Sequence, residues 1–464
     1  MAAKASRRIG LAAFDDPVPS PADRLAAGKA HRQVVPRASH AAWEPATDRR
    51  DPIEVLVESN RSRLQDLVPL RYARMAVSPF TFLRGSAQVM AFDLASWPST
   101  GLEVRLCGDA HISNFGVFAS PERRLVFDLN DFDEAAPGPF EWDVKRLAAS
   151  IVVAGRDKGL DRVANRRAVL DAVAAYRDWT ERYSKLTHLD VWYARIEVQD
   201  ILETMATADR RYASREVRRM QGKNHLKALS NLTTVDSDGR RRIVDDPPLI
   251  THIDGGADLQ ERLIAVFGQY RESLPADKQA LFDRYRFVDF ARKVVGVGSV
   301  GTRCWVGLFQ GPNGGPLFLQ VKEARPSVVT VARGVKPAKH DGKRVVDGQR
   351  MLQAASDVML GWATDDVSGV HYYVRQMWDS KGSVDLAALG TAGFRTTAGY
   401  CGWALARAHA RTGDSVGIAG YIGTSERFGE VIADWAEAYA DQTERDHAAL
   451  LAALDRGVLP SFTG

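Results

Sequence analysis

The chain has 464 residues, of which 45% are hydrophobic and 26% are charged, so it can bury a sizeable core and is expected to form two or three lobes. Its net charge of +4 argues against the concentrated basic surface of a nucleic-acid-binding protein. Three cysteines, Cys107, Cys304 and Cys401, are too few for a disulfide framework and too widely spaced for a CxxC metal pair. With no apolar stretch long enough to span a bilayer, the sequence predicts a cytoplasmic protein with neither membrane nor nucleic acid among its partners.

The first half of the chain is expected to be mainly helical. Residues 1–50 mix Ala, Pro, Arg and Asp without periodicity, which predicts a flexible tail. In residues 51–285 apolar residues recur at helical spacing, with one strongly apolar helix expected over residues 83–94. Short strands are expected over residues 102–107 and 124–129. This region therefore predicts a helical lobe.

The second half of the chain begins with β character. Residues 286–380 alternate or run apolar around a glycine-rich turn and predict a smaller, β-rich lobe. Residues 381–464 are expected to be helical and to pack on the first lobe. The elements expected in these two regions are strands over 293–300, 302–310, 316–321 and 371–377 and helices over 346–362, 398–411 and 428–453. The sequence therefore predicts an α+β fold of two lobes.

An aspartate and an asparagine stand five positions apart in the segment GDAHISN at residues 108–114. The segment follows a predicted strand, and its spacing is that of a kinase catalytic loop. In such a loop the aspartate, here Asp109, takes or orients the proton of the attacking hydroxyl, and the asparagine, here Asn114, holds a magnesium ion. Asp and Asn are also common turn residues, so ordinary loop chemistry is the alternative.

A second polar run, NDFDE at residues 130–134, follows the strand predicted over 124–129. Asp131 is expected to reach the same magnesium ion, with Asp133 as a third ligand, because Mg²⁺ takes a few carboxylate oxygens together with water and phosphate oxygens. A solvated turn is the alternative. The neighbouring carboxylates repel one another unless a cation or a basic group compensates them; they belong to Asp128, Asp131, Asp133 and Glu134.

These motifs resemble the signature of the aminoglycoside and choline phosphotransferases in the protein-kinase-like group. That signature reads GDxHxxN, then DF(G/D)(D/E), then GP and a later aspartate, and the chain has these elements in the same order. The resemblance implies that Asp109 is the catalytic base and that Asn114 and Asp131 are magnesium ligands. It also implies that His111 and Asp143 brace the catalytic loop.

One position departs from this signature, because Cys107 stands before the GDxHxxN motif where those enzymes usually have a histidine. The histidine is generally structural there, so a cysteine packed in the core is an acceptable replacement. The wider run over residues 83–146 is also similar to an uncharacterised bacterial family of unknown function, over most of the chain. That similarity names relatives without naming a substrate.

The glycine-rich loop and the lysine that precede the catalytic loop in a kinase occur downstream of it here. A GxGxxG motif flanked by strand-like runs suits a hairpin folded over phosphates; its expected nucleotide contacts are Gly296, Gly298, Ser299 and Gly301. Twenty-one residues after the last glycine, an apolar strand delivers Lys322, the form of the kinase strand whose lysine holds the α- and β-phosphates of ATP. The order of the motifs predicts a circularly permuted protein-kinase-like fold.

The kinase lysine normally pairs with an acid on the next helix. The helix expected over 346–362 offers Asp347 and Asp357 and no glutamate, and Asp347 is the favoured partner. The following strand is expected to run beside the adenine of ATP, with Met377 or Trp378 on the ring. Ordinary core packing is the alternative for these two side chains.

The sequence thus predicts an ATP- and Mg²⁺-dependent phosphotransferase that acts on an unidentified hydroxyl-bearing small molecule or protein. An AMP transferase and an inactive nucleotide-binding protein on the same fold are alternatives. A metallophosphoesterase would use the Asp109-Ala110-His111 triplet as part of a two-metal site. That alternative lacks the further histidines such a site needs.

Overall fold

The computed structural model describes residues 18–204, 210, 214–215, 217–219, 225–237, 240–253, 256–377 and 382–462. Helices dominate these residues and the strands form antiparallel sheets, so the α+β class predicted from the sequence is confirmed. Two large hydrophobic clusters organise the molecule. One is built mainly from helices at both ends of the chain, and the other surrounds a six-stranded sheet.

The helices of the first part of the chain surround two small antiparallel pairings, β1 with β4 and β2 with β3. The helices are α1 (Pro21–Val34), α2 (Pro52–Asn60), α3 (Val68–Ala76), α4 (Pro79–Gly85), α5 (Ala87–Ala95), α6 (Phe140–Asp157), α7 (Arg162–Tyr183), α8 (His188–Tyr193) and α9 (Val198–Thr204). The strands are β1 (Glu103–Leu106), β2 (Phe115–Ala119), β3 (Leu125–Leu129) and β4 (Ala136–Pro139). Nearly every residue of α6 is buried, so this helix forms the centre of the helical body.

The middle of the chain forms the second body around six strands in the order β11-β12-β10-β9-β8-β7. Its strands are β5 (Thr233–Val235), β6 (Arg241–Ile243), β7 (Ile250–Thr251), β8 (Arg286–Lys293), β9 (Cys304–Gln310), β10 (Pro316–Glu323), β11 (Gly361–Asp365) and β12 (Val370–Gln376). Its helices are α10 (His225–Leu232), α11 (Gly256–Ser273), α12 (Ala276–Phe282), α13 (Val328–Ala332) and α14 (Asp341–Leu352). Strand β10 is buried along its whole length because it lies inside the sheet with a neighbour on each side.

The chain then returns to the helical body. Strand β13 (Gly382–Ser383) pairs with β2, and three helices follow, α15 (Thr391–Thr412), α16 (Ser415–Ile422) and α17 (Arg427–Asp455). Helix α15 packs along α7, and α17 packs along α6. None of the described helices combines the length and the apolar character needed to cross a bilayer.

The flexible tail predicted for residues 1–50 is wrong for the part that the structure describes. Ser20 caps α1 through a capping box, and the helix packs against α16. A Cβ added to Gly28 would lie 2.0 Å from the carbonyl oxygen of Gly417, so glycine permits this close approach. Residues 1–17 lie outside the described residues.

The boundary predicted between residues 285 and 286 is also wrong. Helices α11 and α12 and strand β7 precede it in the sequence, yet they pack on the six-stranded sheet. Phe267 of α11 lies edge-on against Phe309 of β9, with 5.0 Å between ring centroids, inside the cluster that also holds Phe282 of α12. The second body therefore begins well before residue 286.

Two local predictions also need correction. The strand expected over 293–300 ends at Lys293, and residues 294–303 form a loop, since glycines at alternate positions favour turns over a ladder. The helix expected over 346–362 ends at Leu352 and is followed by β11. The strand after it and the two long C-terminal helices lie close to their predicted positions.

Candidate functional site

A cavity of about 340 Å³ lies where the helical body meets the six-stranded sheet. From the upstream motifs, the residues that line it are Asp109, His111, Asn114, Asp131 and Asp133. From the glycine-rich motif, they are Gly296, Gly298 and Ser299. The fold therefore brings two motifs that are far apart in the sequence to one cavity.

The loop over residues 108–114 is closed by its own hydrogen bonds. The backbone N–H of Asn114 donates to the His111 carbonyl (2.7 Å), and its side-chain Nδ2 donates to the Asp109 carbonyl (2.6 Å). Gly108 has φ of +82° and a Cβ there would lie 2.2 Å from the Glu134 carbonyl oxygen, so glycine is required. The side chain of Asn114 thus folds back across the loop.

Asp109 is held by an arginine from the central helix α6. The Nη2 of Arg146 lies 2.7 Å from Asp109 Oδ1, and the same guanidinium donates to the Leu83 carbonyl (2.7 Å). Burial raises the pKa of Asp109, an effect opposed by Arg146 and Arg84. His111 Nε2 lies 3.9 Å from Asp109 Oδ2, and burial holds the pKa of His111 well below its usual value, so this histidine is neutral.

Asp143, also on α6, accepts hydrogen bonds from the start of the same loop. Its carboxylate oxygens receive the backbone N–H groups of Cys107 (2.6 Å) and Gly108 (2.9 Å). On its other side it lies 3.2 Å from Nε2 of His409, whose Nδ1 meets the Tyr176 hydroxyl at 2.8 Å. The helical body therefore fixes the position of the loop through α6 and α15.

Lys322 of β10 reaches the acidic run after β3. Its Nζ donates to Asp133 Oδ2 (2.7 Å), and the hydroxyl of Tyr373 on β12 donates to Asp133 Oδ1 (2.5 Å). Burial alone would raise the pKa of Asp133, but the ammonium and the phenol outweigh it and the pKa is lowered. Burial lowers the pKa of Lys322, yet Asp131 and Asp133 raise it above its usual value. Both partners are therefore charged.

Two predicted roles are corrected by these contacts. Asp133 is predicted as a third magnesium ligand, but in this structure its two oxygens accept hydrogen bonds from Lys322 and Tyr373, so its observed contacts are those of the acid that pairs with the strand lysine. Asp347 does not pair with Lys322, because its carboxylate binds Lys343 one helical turn earlier on α14 (2.6 Å). The acid that meets the strand lysine comes from the acidic run instead of the helix.

Asp128 belongs to the fold and not to the cavity. Its carboxylate accepts hydrogen bonds from Nη2 of Arg407 at 2.7 and 2.8 Å, and both side chains are fully buried. The crowded carboxylates of the sequence are thus compensated by basic groups at two positions, Asp128 and Asp133.

Asn114 and Asp131, the two magnesium ligands implied by the resemblance, both line the cavity. Among the described residues, no group donates a hydrogen bond to Asn114 Oδ1, and no cluster of three or more His, Cys, Asp or Glu side chains is placed to enclose a metal. One amide oxygen and one carboxylate suit Mg²⁺, which keeps waters and phosphate oxygens in its shell. They do not suit a two-metal hydrolase, which needs more protein ligands.

The glycine-rich loop over residues 294–303 is attached to the helical body. The Gly301 carbonyl accepts from the backbone N–H of Leu64 (2.7 Å), and the carbonyls of Val300 and Gly296 accept from Arg63 (2.6 Å) and Arg74 (2.5 Å). Gly301 contacts Arg63 and does not line the cavity. The loop is therefore fixed over the cavity by the segment from α2 to α3.

Met377 lies apart from this cavity. Its side chain packs in a hydrophobic cluster with Leu308 and Phe318, and its backbone N–H donates to the Phe318 carbonyl (2.9 Å). The side chain of Met377 therefore belongs to the hydrophobic core in this structure, which is the alternative that the sequence left open. Trp378 lies outside the described residues.

Sequence reasoning found only one of the arginines at this site. Arg84 precedes an apolar helix and could meet a phosphate, but a capping or pairing role is favoured from the sequence, whereas Arg146 has no assigned role in the motif patterns. Arg63, Arg71 and Arg325 also line the cavity or contact its glycine-rich loop. Single arginines give no periodic or spacing signal, so a structure is needed to find such a cluster.

The fold and the site define an α+β protein with a charged cavity between a helical body and an antiparallel sheet. A family model described as "Uncharacterized protein conserved in bacteria (DUF2252)" matches residues 63–453, and the chain belongs to this family. The similarity to an uncharacterised bacterial family drawn from the sequence is thereby confirmed. No curated protein matches the chain, and no solved structure matches it.

Proposed function

We propose that this protein is an ATP- and Mg²⁺-dependent phosphotransferase on a circularly permuted protein-kinase-like fold, acting on a hydroxyl-bearing acceptor. The observation that carries the proposal is the 2.7 Å contact between Lys322 and Asp133. It joins the downstream lysine strand to the upstream acidic run, two residues from Asp131. In a kinase these are the groups that hold the nucleotide phosphates and the metal ion.

The order of strands supports the kinase-like part of the proposal. Strands β8 and β9 flank the glycine-rich loop, and β10 with its lysine pairs with β9 on one side and β12 on the other. The sheet therefore places three features side by side: the β8–β9 hairpin with the glycine-rich loop, the strand β10 with Lys322, and the strand β12 expected beside adenine.

The ends of the two halves support the permutation. Helix α15 follows the sheet body and ends at Thr412, whose Oγ1 accepts a hydrogen bond from the backbone N–H of Arg105 on β1 (3.2 Å). A chain that ran from the sheet body through α15 would arrive at the strand leading into the 108–114 loop. That is the usual kinase order, in which the glycine-rich loop comes first.

In the proposed reaction Asp109 would orient the acceptor hydroxyl and take its proton as the hydroxyl oxygen bonds to the γ-phosphorus of ATP; the bond from that phosphorus to the β–γ bridging oxygen breaks, and ADP leaves. Arg146 holds the carboxylate in place, and the raised pKa that burial gives Asp109 makes it a better proton acceptor. Asn114 and Asp131 would hold Mg²⁺, which neutralises phosphate charge when bound. The glycine-rich loop, which lines the cavity, would hold the nucleotide phosphates. Lys322 binds Asp133 and does not line the cavity in this structure, so it would have to turn from Asp133 to reach them.

The proposal is tested by calorimetric binding of ATP with Mg²⁺ to the wild type, Lys322→Met and Lys343→Met. Lys343 is a matched control, since it also pairs with an aspartate but is 51% exposed. We expect Lys322→Met to weaken binding by about tenfold or more, the worth of a hydrogen bond to a charged group, and Lys343→Met to bind as the wild type does. Lys322→Arg, which keeps the charge beside Asp133, checks that any loss is not misfolding.

Equal affinity in Lys322→Met and the wild type, or no nucleotide binding by the wild type, would overturn the proposal. Transfer is then followed with ATP labelled on the α- or the γ-phosphate. Movement of the γ label alone supports phosphoryl transfer, and movement of the α label identifies an AMP transferase. Binding without movement of either label identifies an inactive nucleotide-binding protein.

A further inference from the structure

Four arginines line the cavity, and we call this set the arginine wall: Arg63, Arg71, Arg84 and Arg325. They come from separate parts of the chain. Arg63 stands between α2 and α3, Arg71 on α3, Arg84 on α4, and Arg325 after β10. The fold therefore gathers four positive charges that are scattered in the sequence.

The arginine wall forms no close ion pairs, although Asp109 and Asp131 act on Arg84 at longer range and oppose the lowering of its pKa by burial. Among the described residues, no Asp or Glu oxygen lies within 4.0 Å of any of these four guanidinium groups, in contrast to the ion pairs found elsewhere in the molecule. Their side-chain hydrogen bonds go to neutral groups. Arg63 donates to the Val300 carbonyl (2.6 Å). Arg71 donates to Asn60 Oδ1 (2.7 Å) and to the Gly85 carbonyl (2.6 Å). Arg325 donates to the Ser59 carbonyl (3.0 Å).

The arginine wall also has unused hydrogen-bonding capacity. The Nε atoms of Arg63, Arg71 and Arg84 are buried and have no hydrogen-bond partner among the described residues. Burial lowers the pKa of Arg71 to about 10, with Arg325 adding to the effect. Burial lowers the pKa of Arg63 as well; Arg71 and Arg325 add to this effect, and the carboxylates of Glu134 and Glu323 oppose it. Like charges held together away from water are costly unless an anion joins them.

The carboxylates of the same cavity are compensated differently. Asp109 pairs with Arg146 (2.7 Å), Asp133 with Lys322 (2.7 Å), Glu323 with Arg303 (3.1 Å) and Glu58 with Arg50 (2.5 Å). None of these four cations lines the cavity, so these negative charges are neutralised from behind. Asp131 and Glu134 also line the cavity, and Glu134 accepts a hydrogen bond from the backbone N–H of Val328 (2.6 Å). The arginine wall differs from the four paired carboxylates because none of its guanidinium groups forms an ion pair with a described residue.

We propose that the arginine wall is a phosphate-binding subsite for the acceptor, so that the acceptor of the proposed transfer is a hydroxyl compound that already carries a phosphate group. This inference rests on the proposed function, because it assumes that the protein transfers a phosphate group to an acceptor molecule. Guanidinium groups are planar forks that bind phosphate through paired hydrogen bonds, and several of them suit a dianion. The arginine wall lines the same cavity as Asp109, the proposed base, so a phosphate bound there would lie on a molecule whose hydroxyl can reach Asp109.

The test uses inorganic phosphate as the probe, with binding measured by calorimetry at constant ionic strength. Arg84→Gln and Arg325→Gln are the informative variants, since both side chains are partly exposed, whereas Arg63 and Arg71 also hold the glycine-rich loop and α4. Arg333→Gln is the matched control, because Arg333 pairs with Glu103 outside the cavity. Acetate replaces phosphate in a second titration.

We expect phosphate binding to weaken about tenfold in Arg84→Gln and in Arg325→Gln, the worth of one hydrogen bond to a charged group, and to be unchanged in Arg333→Gln. We expect acetate to bind more weakly than phosphate. Saturating phosphate should leave the affinity for ATP with Mg²⁺ nearly unchanged, because the two occupy different parts of the site.

Wild-type affinity for phosphate in both cavity variants would overturn the subsite. Competition between phosphate and ATP would also overturn it, since the arginines would then serve the nucleotide, and the proposed function would stand. Phosphate binding that depends on Arg84 and Arg325, in a wild type that does not bind ATP, would support the subsite while the phosphotransferase assignment fails.

Discussion

The carboxylates and the guanidinium groups that face the cavity differ in how their charge is compensated. On the acidic side Asp109 and Asp133 each meet a buried cation supplied from behind, Arg146 and Lys322. No described carboxylate lies within ion-pair distance of a guanidinium group of the arginine wall. Breaking a buried ion pair is costly, whereas an unpaired cluster has no such partner to lose. The comparison separates charges that are paired within the protein from charges that, under our proposal, pair with a ligand.

The largest effect is expected on turnover, from Asp109→Asn. The amide keeps an oxygen for Arg146, 2.7 Å away, so the fold is retained, but it cannot take a proton. Loss of a general base lowers rates by about 10²–10⁴-fold. Turnover of ATP with Mg²⁺ is measured beside Asp347→Asn, the same exchange in the partly exposed pair with Lys343. An Asp109→Asn enzyme as fast as this control would remove Asp109 from the reaction.

The next effect concerns stability and the pair between Asp128 and Arg407, both fully buried. Asp128→Asn leaves the guanidinium without its countercharge, and we expect the free energy of unfolding to fall by about 3–5 kcal/mol. Urea denaturation measures it. Asp441→Asn, in a pair with Arg156 in which Asp441 is 55% exposed, should change stability by less than about 1 kcal/mol. Equal effects from the two variants would contradict the assignment of Asp128 to the fold.

A smaller, pH-dependent effect is expected from Glu134, whose closest partner is a backbone group, the N–H of Val328 (2.6 Å). Burial raises its pKa from 4.5 to about 7. The unfolded chain therefore releases this proton first, and stability falls as pH rises from 4.5 toward 7. Glu134→Gln should remove that slope, worth roughly 3 kcal/mol since one pKa unit is about 1.4 kcal/mol. Identical pH profiles of stability for both proteins would contradict this.

The smallest effect is expected from the exposed pair of Arg50 and Glu58, which are 44% and 45% exposed. Arg50→Gln should change the free energy of unfolding by less than about 1 kcal/mol, because water screens such pairs. Urea denaturation checks it. A loss of stability as large as that expected for the buried pair of Asp128 and Arg407 would contradict the distinction between buried and exposed ion pairs.

Local patterns predicted the parts of the site that depend on chain order. The strand before Gly108, the loop to Asn114 and the strand that ends in Lys322 follow from apolar runs and turn residues. Apart from the strand expected over 293–300, the expected strands and the long C-terminal helices also lie near their predicted positions. These features are set by residues that are neighbours in the sequence.

Contacts between distant segments were not predictable in the same way. The partner of Lys322 is Asp133 and not Asp347, because the fold of the sheet body against the acidic run decides which acid lies nearest. Helix α1 was missed because its packing depends on the close approach of Gly28 to Gly417, which leaves little apolar periodicity. The arginine wall was missed for a related reason, since its members come from four separate segments.

The most direct test of the proposed function is a crystal structure of the wild type with Mg²⁺ and a non-hydrolysable ATP analogue. The account predicts a magnesium ion on Asn114 and Asp131 at about 2.1 Å, phosphates between the glycine-rich loop and Lys322, and a terminal phosphate that faces Asp109. A nucleotide bound elsewhere, or a cavity that stays without nucleotide at saturating concentration, would contradict it.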